Sequence, residues 1–220
     1  MPPDARKTLN LWKQQLGRVP EDLWKQTQLE SLILADNGLT EISERIGQLR
    51  KLRMLDLGHN ALARVPDAIG SIEGLSEFLY LHDNRLTGLP ESLGALKKLR
   101  YLNISENAFA ELPSAVCEME GLVELRASDN AMAALPDCVG QLAQLRELHL
   151  RNNRLTSLPD SVGELMELRQ IDLRGNPLTS LPECLTQLRK LDKIDLRWVT
   201  TLEEPLWMEV LRARGCLIYW

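Results

Sequence analysis

One pattern of apolar and polar positions repeats along most of the chain. Its form is LxxLxLxxNxLxxLPxxxGxLxxL, and LRELHLRNNRLTSLPDSVGEL follows it closely. The asparagine of this pattern recurs every 23 residues, with one spacing of 24, at Asn37, Asn60, Asn84, Asn107, Asn130, Asn153 and Asn176. A period of this length predicts a solenoid in which each repeat packs only on its neighbours.

The LxL segment of each repeat predicts a short β-strand. Alternate side chains of a strand point to opposite faces, so the leucines turn inward and the residues between them turn outward. Equivalent strands of successive repeats then pair in parallel, about 4.8 Å apart. The buried asparagine is polar, so its amide needs partners in its own turn and in the next. The LP segment predicts a 3₁₀ turn or one-turn helix that returns the chain on the outer side.

The segment GLSEFLYLHDN is one residue longer than its counterparts. Leu75 and Leu79 are four positions apart, where the other repeats have three. The extra residue falls at the entry to the strand, and a residue without a ladder partner bulges outward. We expect this bulge to bring Phe78 next to Tyr80 and Tyr101.

These repeats resemble the leucine-rich repeat family, and the resemblance covers almost the whole chain. The length of 23 residues, with LP after the asparagine, is similar to the Ras-group and Scribble-like intracellular class, which is also common in bacteria. The resemblance implies an α/β solenoid: a curved right-handed superhelix with a concave parallel β-sheet, convex 3₁₀ or short-helix returns and a C-terminal helical cap.

Residues 1–220 are predicted to form a single domain of this kind. We assign 1–28 to an N-terminal capping repeat, 29–190 to seven central repeats and 191–220 to a C-terminal cap. No linker or low-complexity stretch divides the sequence.

The end repeats depart from the pattern, as capping repeats do. Gln14 and Val199 stand at asparagine positions, and Trp24 stands at a glycine position. Near the C-terminus, EEPLWMEVLRARG predicts a helix, and CLIYW predicts a closing strand or hydrophobic lid. The helix is expected to place three residues against the last repeat, namely Leu206, Val210 and Leu211.

Charge and composition narrow the classes of function. The net charge of −5 argues against non-specific binding to nucleic acid or to an acidic membrane surface. No apolar stretch is long enough to span a bilayer, and MPPDARKTLNLWKQQL does not have the apolar centre of a signal peptide. We therefore expect a cytoplasmic protein, with a secreted effector as the alternative left open.

The four cysteines form no CxxC arrangement. Cys138 and Cys184 occupy a position held by serine in sister repeats, and Cys117 occupies a glycine position. We expect small fillers with reduced thiols. A bond between Cys117 and Cys138, which lie in neighbouring repeats, is not expected but stays open.

The motifs of common enzymes do not occur in the sequence. GxGxxG, GxxxxGK[ST], HExxH and GxSxG are all absent, so we predict no cofactor, no metal site and no enzymatic activity. His149 beside Glu147 and Asp172 could imitate an acid–base site. An open sheet offers no pocket that excludes water, so we do not expect catalysis there.

Function is therefore expected on the concave face, at the outward strand positions. The predicted protein-binding residues are Phe78, Tyr80, His82, Tyr101, Arg126, His149, Arg151, Asp172, Arg174 and Arg197. We call the first four the aromatic zone. The name arginine column is used for Arg151, Arg174 and Arg197, which recur at one position of three successive repeats.

Each zone admits two interpretations. The aromatic zone is interpreted as a contact surface, because amphipathic aromatics are enriched at binding hot spots; the alternative is that cross-strand aromatic pairs only stabilise the sheet. The arginine column is either a lattice neutralised by its own acids or a dock for a carboxylate- or phosphate-bearing segment.

The sequence predicts a scaffold, adaptor or regulator that binds another protein. Its partner is unidentified, and a small GTPase is suggested by family analogy alone. The alternatives are a bacterial effector or ubiquitin-ligase adaptor that recognises a host protein, an enzyme that depends on His149, and an idealised repeat protein without a partner. Ubiquitin-ligase effectors of the family carry a separate catalytic domain, which we do not recognise in this sequence.

Overall fold

A computed structural model describes residues 7–220. Over this range ten three-residue strands form one open, curved parallel sheet, and each strand pairs with the next in chain order. They are β1 (Thr8–Asn10), β2 (Ser31–Ile33), β3 (Met54–Asp56), β4 (Phe78–Tyr80), β5 (Tyr101–Asn103), β6 (Glu124–Arg126), β7 (Glu147–His149), β8 (Gln170–Asp172), β9 (Lys193–Asp195) and β10 (Leu217–Tyr219). The predicted α/β solenoid is confirmed.

Short helices return the chain from one strand to the next. The 3₁₀ turns are Glu21–Lys25, Glu44–Gln48, Asp67–Ser71, Glu91–Ala95, Asp137–Gln141, Asp160–Glu164 and Glu183–Gln187. Two returns are α-helical, α1 (Ser114–Cys117) and α2 (Met208–Ala213). Most returns follow the proline of the LP pair, as Asp160–Glu164 follows Pro159. The proline is the N-cap, and its fixed φ fits the extended backbone at this position, where the helix needs no N–H from it.

The apolar positions of the repeat form one continuous interior. Strand centres such as Leu79, Leu102 and Leu125 are fully buried, and so are Val162 and Leu165 from a return segment. Neighbouring repeats cover these surfaces for one another, so stability comes largely from the interfaces between repeats.

The asparagines form the predicted ladder. Asn60 donates from Nδ2 to the carbonyls of Leu57 (3.0 Å) and Gly58 (3.0 Å) in its own turn and of Leu34 (3.1 Å) in the preceding repeat. Its Oδ1 accepts the N–H of Leu39 at 3.0 Å. One amide thus satisfies backbone groups of two repeats, and such groups are costly to leave unpaired when buried.

The residue before each asparagine adopts a left-handed conformation. The values of φ lie between +48° and +66° at Asp36, His59, Asp83, Glu106, Asp129, Asn152 and Gly175. Aspartate, asparagine, histidine and glycine tolerate this region better than other residues. This reversal directs the asparagine amide back into its own turn, a detail that the sequence pattern did not predict.

The extra residue is absorbed at the entry to β4, as predicted. In ordinary repeats one carbonyl at this point accepts two consecutive N–H groups from the next repeat, as that of Arg100 does. In the long repeat the two bonds divide between Ser76, which accepts from Arg100 (3.1 Å), and Glu77, which accepts from Tyr101 (3.0 Å). β4 therefore pairs with β3 and β5 without a shift in register.

Cys117 and Cys138 form a disulfide, with Cα atoms 5.6 Å apart. The expectation of reduced thiols at these two positions was wrong. Stacking brings the glycine position of one return against the serine or cysteine position of the next: a Cβ added to Gly163 would lie 2.7 Å from that of Cys184. Cys117 and Cys138 occupy this pair of positions, so stacking alone brings them within bonding range. Cys184, stacked on a glycine, remains a free thiol.

The C-terminal end differs in part from its prediction. α2 buries Met208 and Leu211, whereas Leu206 is 93% exposed and Val210 is 50% exposed. The expected packing of Leu206 and Val210 against the last repeat was wrong. The helix begins at Met208, so the side chains on its inward face are those of Met208 and Leu211, which are three residues apart. CLIYW supplies β10, the predicted closing strand.

At the asparagine position of the last repeat, Val199 is buried, and Trp24 is buried at the glycine position of the first. The bounds assigned to the capping repeats remain a prediction, and residues 1–6 of the first lie outside the described residues. None of the helices in residues 7–220 has the length and apolar character needed to cross a membrane.

Candidate protein-binding surface

Three aromatic rings lie side by side on the solvent-facing side of the sheet. Phe78 and Tyr80 are the ends of β4, and Tyr101 begins β5. The ring centroids are 5.9 Å apart for Phe78–Tyr80, 5.5 Å for Phe78–Tyr101 and 5.0 Å for Tyr80–Tyr101. Because Leu79 between them is fully buried, the alternation of strand side chains holds the rings outward.

His82 extends this cluster from the loop after β4. Its ring centroid lies 6.0 Å from that of Tyr80. The ring lies over Gly58, where an added Cβ would come within 2.4 Å of the ring Cε1 atom. The absence of a side chain at Gly58 therefore lets the imidazole lie against the backbone, and the structure brings all four members of the aromatic zone together.

A chain of hydrogen bonds links His82 to a carboxylate. His59 Nδ1 lies 2.7 Å from Asp83 Oδ2, and His59 Nε2 lies 3.2 Å from His82 Nε2. The carboxylate favours a proton on Nδ1 of His59, so Nε2 of His59 accepts from His82. Burial lowers the pKa of His82, and the neighbouring His59 lowers it further.

The two tyrosines of the aromatic zone remain neutral donors. Burial raises the pKa of Tyr101 to about 12, and burial together with the charge of Asp56 raises the pKa of Tyr80. The guanidinium of Arg126 lies 6.0 Å from the centroid of the Tyr101 ring. Arg126 thus joins the aromatic zone to the polar residues beside it.

Next to the aromatic zone, two glutamates and a histidine converge. Glu124 and Glu147 are register partners in β6 and β7. His149 Nε2 lies 3.2 Å from Glu147 Oε2 and 3.8 Å from Glu124 Oε1. Asp172, the register partner of His149 in β8, hydrogen-bonds to Arg174 instead. The predicted trio of His149, Glu147 and Asp172 therefore forms only in part.

Every arginine of the arginine column has a carboxylate of its own. Arg174 binds Asp172 through Nε (2.8 Å) and Nη2 (2.6 Å). Arg197 binds Asp195 in the same two-pronged manner, at 2.9 and 2.8 Å, and Arg151 pairs at 2.8 Å with an aspartate of the preceding repeat. This geometry favours the interpretation of a self-neutralised lattice.

Asp195 is the centre of this lattice. Its side chain is almost fully buried, with Arg174 Nε at 3.6 Å and Lys193 Nζ at 3.9 Å in addition to Arg197. Burial by itself raises the pKa of Asp195, but the hydrogen bonds and positive charges of these partners outweigh it, and the pKa lies below its usual value.

Two aromatic residues missed by the sequence analysis complete this end of the surface. The guanidinium carbons of Arg174 and Arg197 lie 5.7 and 5.9 Å from the ring of Trp198. The guanidinium carbon of Arg197 also lies 5.7 Å from the centroid of the Tyr219 ring, and Nζ of Lys193 lies 5.6 Å from it. Trp198 occupies the left-handed position that other repeats fill mostly with short polar residues or glycine. A tryptophan at this position is the feature of the sequence that could have indicated an aromatic contact here.

The ten predicted residues thus lie along one face of the sheet, in two groups. The aromatic zone occupies β4, β5 and the loop after β4, and the arginine column follows β7 to β9 with Asp172, at the end of β8, beside it. Arg126 and His149 lie between the two groups. A half-open depression of about 330 Å³ is lined by Arg126, His149, Arg151, Asp172 and Arg174 together with neighbouring polar residues. A more open depression of about 490 Å³ is lined by Phe78 and Tyr101.

Family models agree with this architecture. A model described as leucine rich repeat matches residues 7–62, 27–86 and 143–198. A second model, described as leucine-rich repeat region, matches residues 77–150.

Individual proteins are similar over different parts of their length. The volume-regulated anion channel subunit LRRC8E of Xenopus laevis is 40% identical over 73 residues, which are 32% of this chain and 9% of that protein. The structure of a leucine-rich repeat protein of Leptospira interrogans, 26% identical, superimposes with a TM-score of 0.74 over 94% of this chain and 64% of that one.

A plant receptor gives a similar match. The leucine-rich repeat ectodomain of the receptor kinase GASSHO1/SCHENGEN3 of Arabidopsis thaliana, in complex with CASPARIAN STRIP INTEGRITY FACTOR 2, is 28% identical. Its TM-score is 0.80, over 97% of this chain and 26% of the receptor chain. The chain therefore spans less than two thirds of the length of each of these three proteins.

Proposed function

The chain belongs to the leucine-rich repeat family, and we propose that it is a non-enzymatic interaction module that binds another protein on the concave face of its sheet. The fold is in general a protein-binding scaffold, and the Arabidopsis ectodomain was solved with its factor bound. For this chain, the support lies in the side chains displayed along the sheet.

The aromatic zone is the observation that carries the proposal. The chain has only two phenylalanines and three tyrosines, and Phe78, Tyr80 and Tyr101 lie together on two neighbouring strands. Phe78 is 40% exposed, whereas a ring that served only packing would be covered. Aromatic side chains offer a large contact area for a small loss of conformational entropy, which makes this cluster the proposed centre of the interface.

The arginine column has a secondary place in the proposal. Because Arg174 and Arg197 are already paired with Asp172 and Asp195, a partner's acidic segment would have to exchange with these carboxylates. The main role of Arg174 and Arg197 is to hold the lattice together. An acidic segment of a partner would gain only modest affinity from these two arginines. A small GTPase as partner rests on family analogy alone.

Capture of binding partners by the immobilised full chain tests the proposal. We expect the Tyr80→Ala/Tyr101→Ala variant to lose the partners that the wild-type chain retains, while Arg174→Ala/Arg197→Ala loses them only in part. Met166→Ala is the matched control, since this apolar residue is 53% exposed away from the aromatic zone. Equal yields from the wild-type chain and the tyrosine variant, with both folded by circular dichroism, would exclude the aromatic zone as the interface.

A second candidate is an exported effector, or an adaptor for a ubiquitin ligase, that recognises a host protein. The Cys117–Cys138 disulfide favours an oxidising compartment over the cytoplasm. Thiol-alkylation mass spectrometry of the protein from its own cells tests this: an intact disulfide supports export, and full alkylation of both cysteines supports a cytoplasmic module.

A further inference from the structure

The glutamates and histidine beside the aromatic zone suggest a ligand other than a protein. Glu124, Glu147 and His149 each offer one ligand atom, and these atoms all lie within 4.8 Å of one another. We propose that these three residues bind a divalent transition-metal ion of the Zn²⁺ class, leaving one coordination position open. The proposal concerns the chain alone and does not depend on the proposed protein partner.

The fold itself creates this convergence. Parallel pairing without a shift places Glu124 and Glu147 at the same position of neighbouring strands, and His149 follows Glu147 by two residues on the same face. One imidazole nitrogen and two carboxylate oxygens are ligands that Zn²⁺ accepts. Two adjacent strands therefore supply all three donors, which makes the site more rigid than one built on loops.

The distances are close to those of a bound ion. Tetrahedral ligands about 2.0 Å from Zn²⁺ are separated from one another by about 3.3 Å. His149 Nε2 lies 3.2 Å from the oxygen of Glu147 and 3.8 Å from that of Glu124. The oxygens of Glu124 and Glu147 lie within 4.8 Å of each other, and both side chains are partly exposed, so rotation of these carboxylates can close the remaining gap.

The charges around the trio also favour a cation. Two carboxylates at one strand spacing repel each other, and Arg126, whose Nε donates to Glu124 Oε1 at 2.6 Å, is the cation that offsets this repulsion. Its side chain is 46% exposed, so it can move aside when an ion binds. Arg126 is thus a competitor of the metal, and its removal should strengthen metal binding.

Zn²⁺ titration of the chelator-treated full chain by calorimetry tests the proposal. We expect one ion per chain, with affinity reduced about ten-fold or more by His149→Ala and by Glu147→Gln. Arg126→Ala is expected to raise the affinity several-fold. Glu77→Gln, which alters a glutamate paired with Arg53 just before β4, is the matched control and should leave the affinity unchanged.

Two results would overturn the assignment. One is wild-type protein that takes up no Zn²⁺, which would make the trio an ion-pair cluster only. The other is uptake that survives His149→Ala but disappears with His59→Ala, which would assign the ion to the His59–His82 pair. Co²⁺ substitution adds a second measurement, since a tetrahedral site gives strong visible absorption that His149→Ala should abolish.

Discussion

The rings of Tyr80 and Tyr101 lie 5.0 Å apart on neighbouring strands. A contact of this kind contributes about 0.5–1.5 kcal/mol beyond the area that it buries. We therefore expect Tyr80→Ala and Tyr101→Ala to show a coupling energy of this size in a double-mutant cycle measured by urea unfolding. Additive effects of the two substitutions, within about 0.3 kcal/mol, would show that the rings do not stabilise each other and serve solely as contact area.

The asparagine ladder predicts that two similar substitutions lower the free energy of unfolding by different amounts. Asn153 is buried and donates to the carbonyls of Ala127 (2.9 Å) and Leu150 (3.0 Å). Asn153→Ala leaves these groups unpaired and should lower the free energy of unfolding by about 2–3 kcal/mol. Gln14→Ala, at the exposed equivalent position of the first repeat, is the control and should change it by less than about 0.5 kcal/mol. Similar losses in both variants would contradict the ladder as the source of stability.

The disulfide between Cys117 and Cys138 closes a loop between two residues 21 positions apart. We expect Cys117→Ser/Cys138→Ser to lower the free energy of unfolding by about 2–4 kcal/mol. Cys184→Ser serves as control, because that thiol is free. If the double variant and the wild-type chain unfold at the same denaturant concentration under oxidising conditions, the bond does not form in solution.

His82 should make stability depend on pH. Burial, and then the proximity of His59, lowers the pKa of His82 in the folded chain, so the unfolded chain binds the proton more readily. The effect is absent well above the ordinary pKa of about 6.5. Stability is then lost as the pH falls below that value towards the lowered pKa.

The loss of stability at low pH can be measured by thermal unfolding. The wild-type chain and His82→Asn are compared at neutral and at mildly acidic pH. The wild-type melting temperature should fall more on acidification than that of the variant. Parallel decreases in the two proteins would mean that other groups cause the acid sensitivity.

The parts of the fold set by local periodicity could be predicted from the sequence. The spacing of Leu79, Leu102 and Leu125 fixes which side chains face inward. The same spacing locates the extra residue just before β4. The aromatic zone followed from this alternation, because the position of each ring depends only on its place within a repeat.

Features that depend on contacts between repeats could not be obtained in this way. The Cys117–Cys138 bond requires knowledge of which positions of neighbouring returns stack. The convergence of His149 on Glu124, rather than on Asp172, depends on rotamers and on competition from Arg174. The exposure of Leu206 depends on where a short helix begins, which propensity defines to within a few residues at best.

The left-handed residue before each asparagine makes some solvent-exposed positions intolerant of change. Glu106, with φ of +55°, is exposed, and a surface position of this kind is usually regarded as freely substitutable. At such a position the branched side chain of valine or isoleucine would clash with the backbone, and proline cannot adopt a positive φ. Asparagine, already present at Asn152, would fit. Mutational tolerance along this solenoid is therefore set by the backbone dihedral angle at these sites and by burial elsewhere, so libraries that diversify its surface should leave valine, isoleucine and proline out at each such turn.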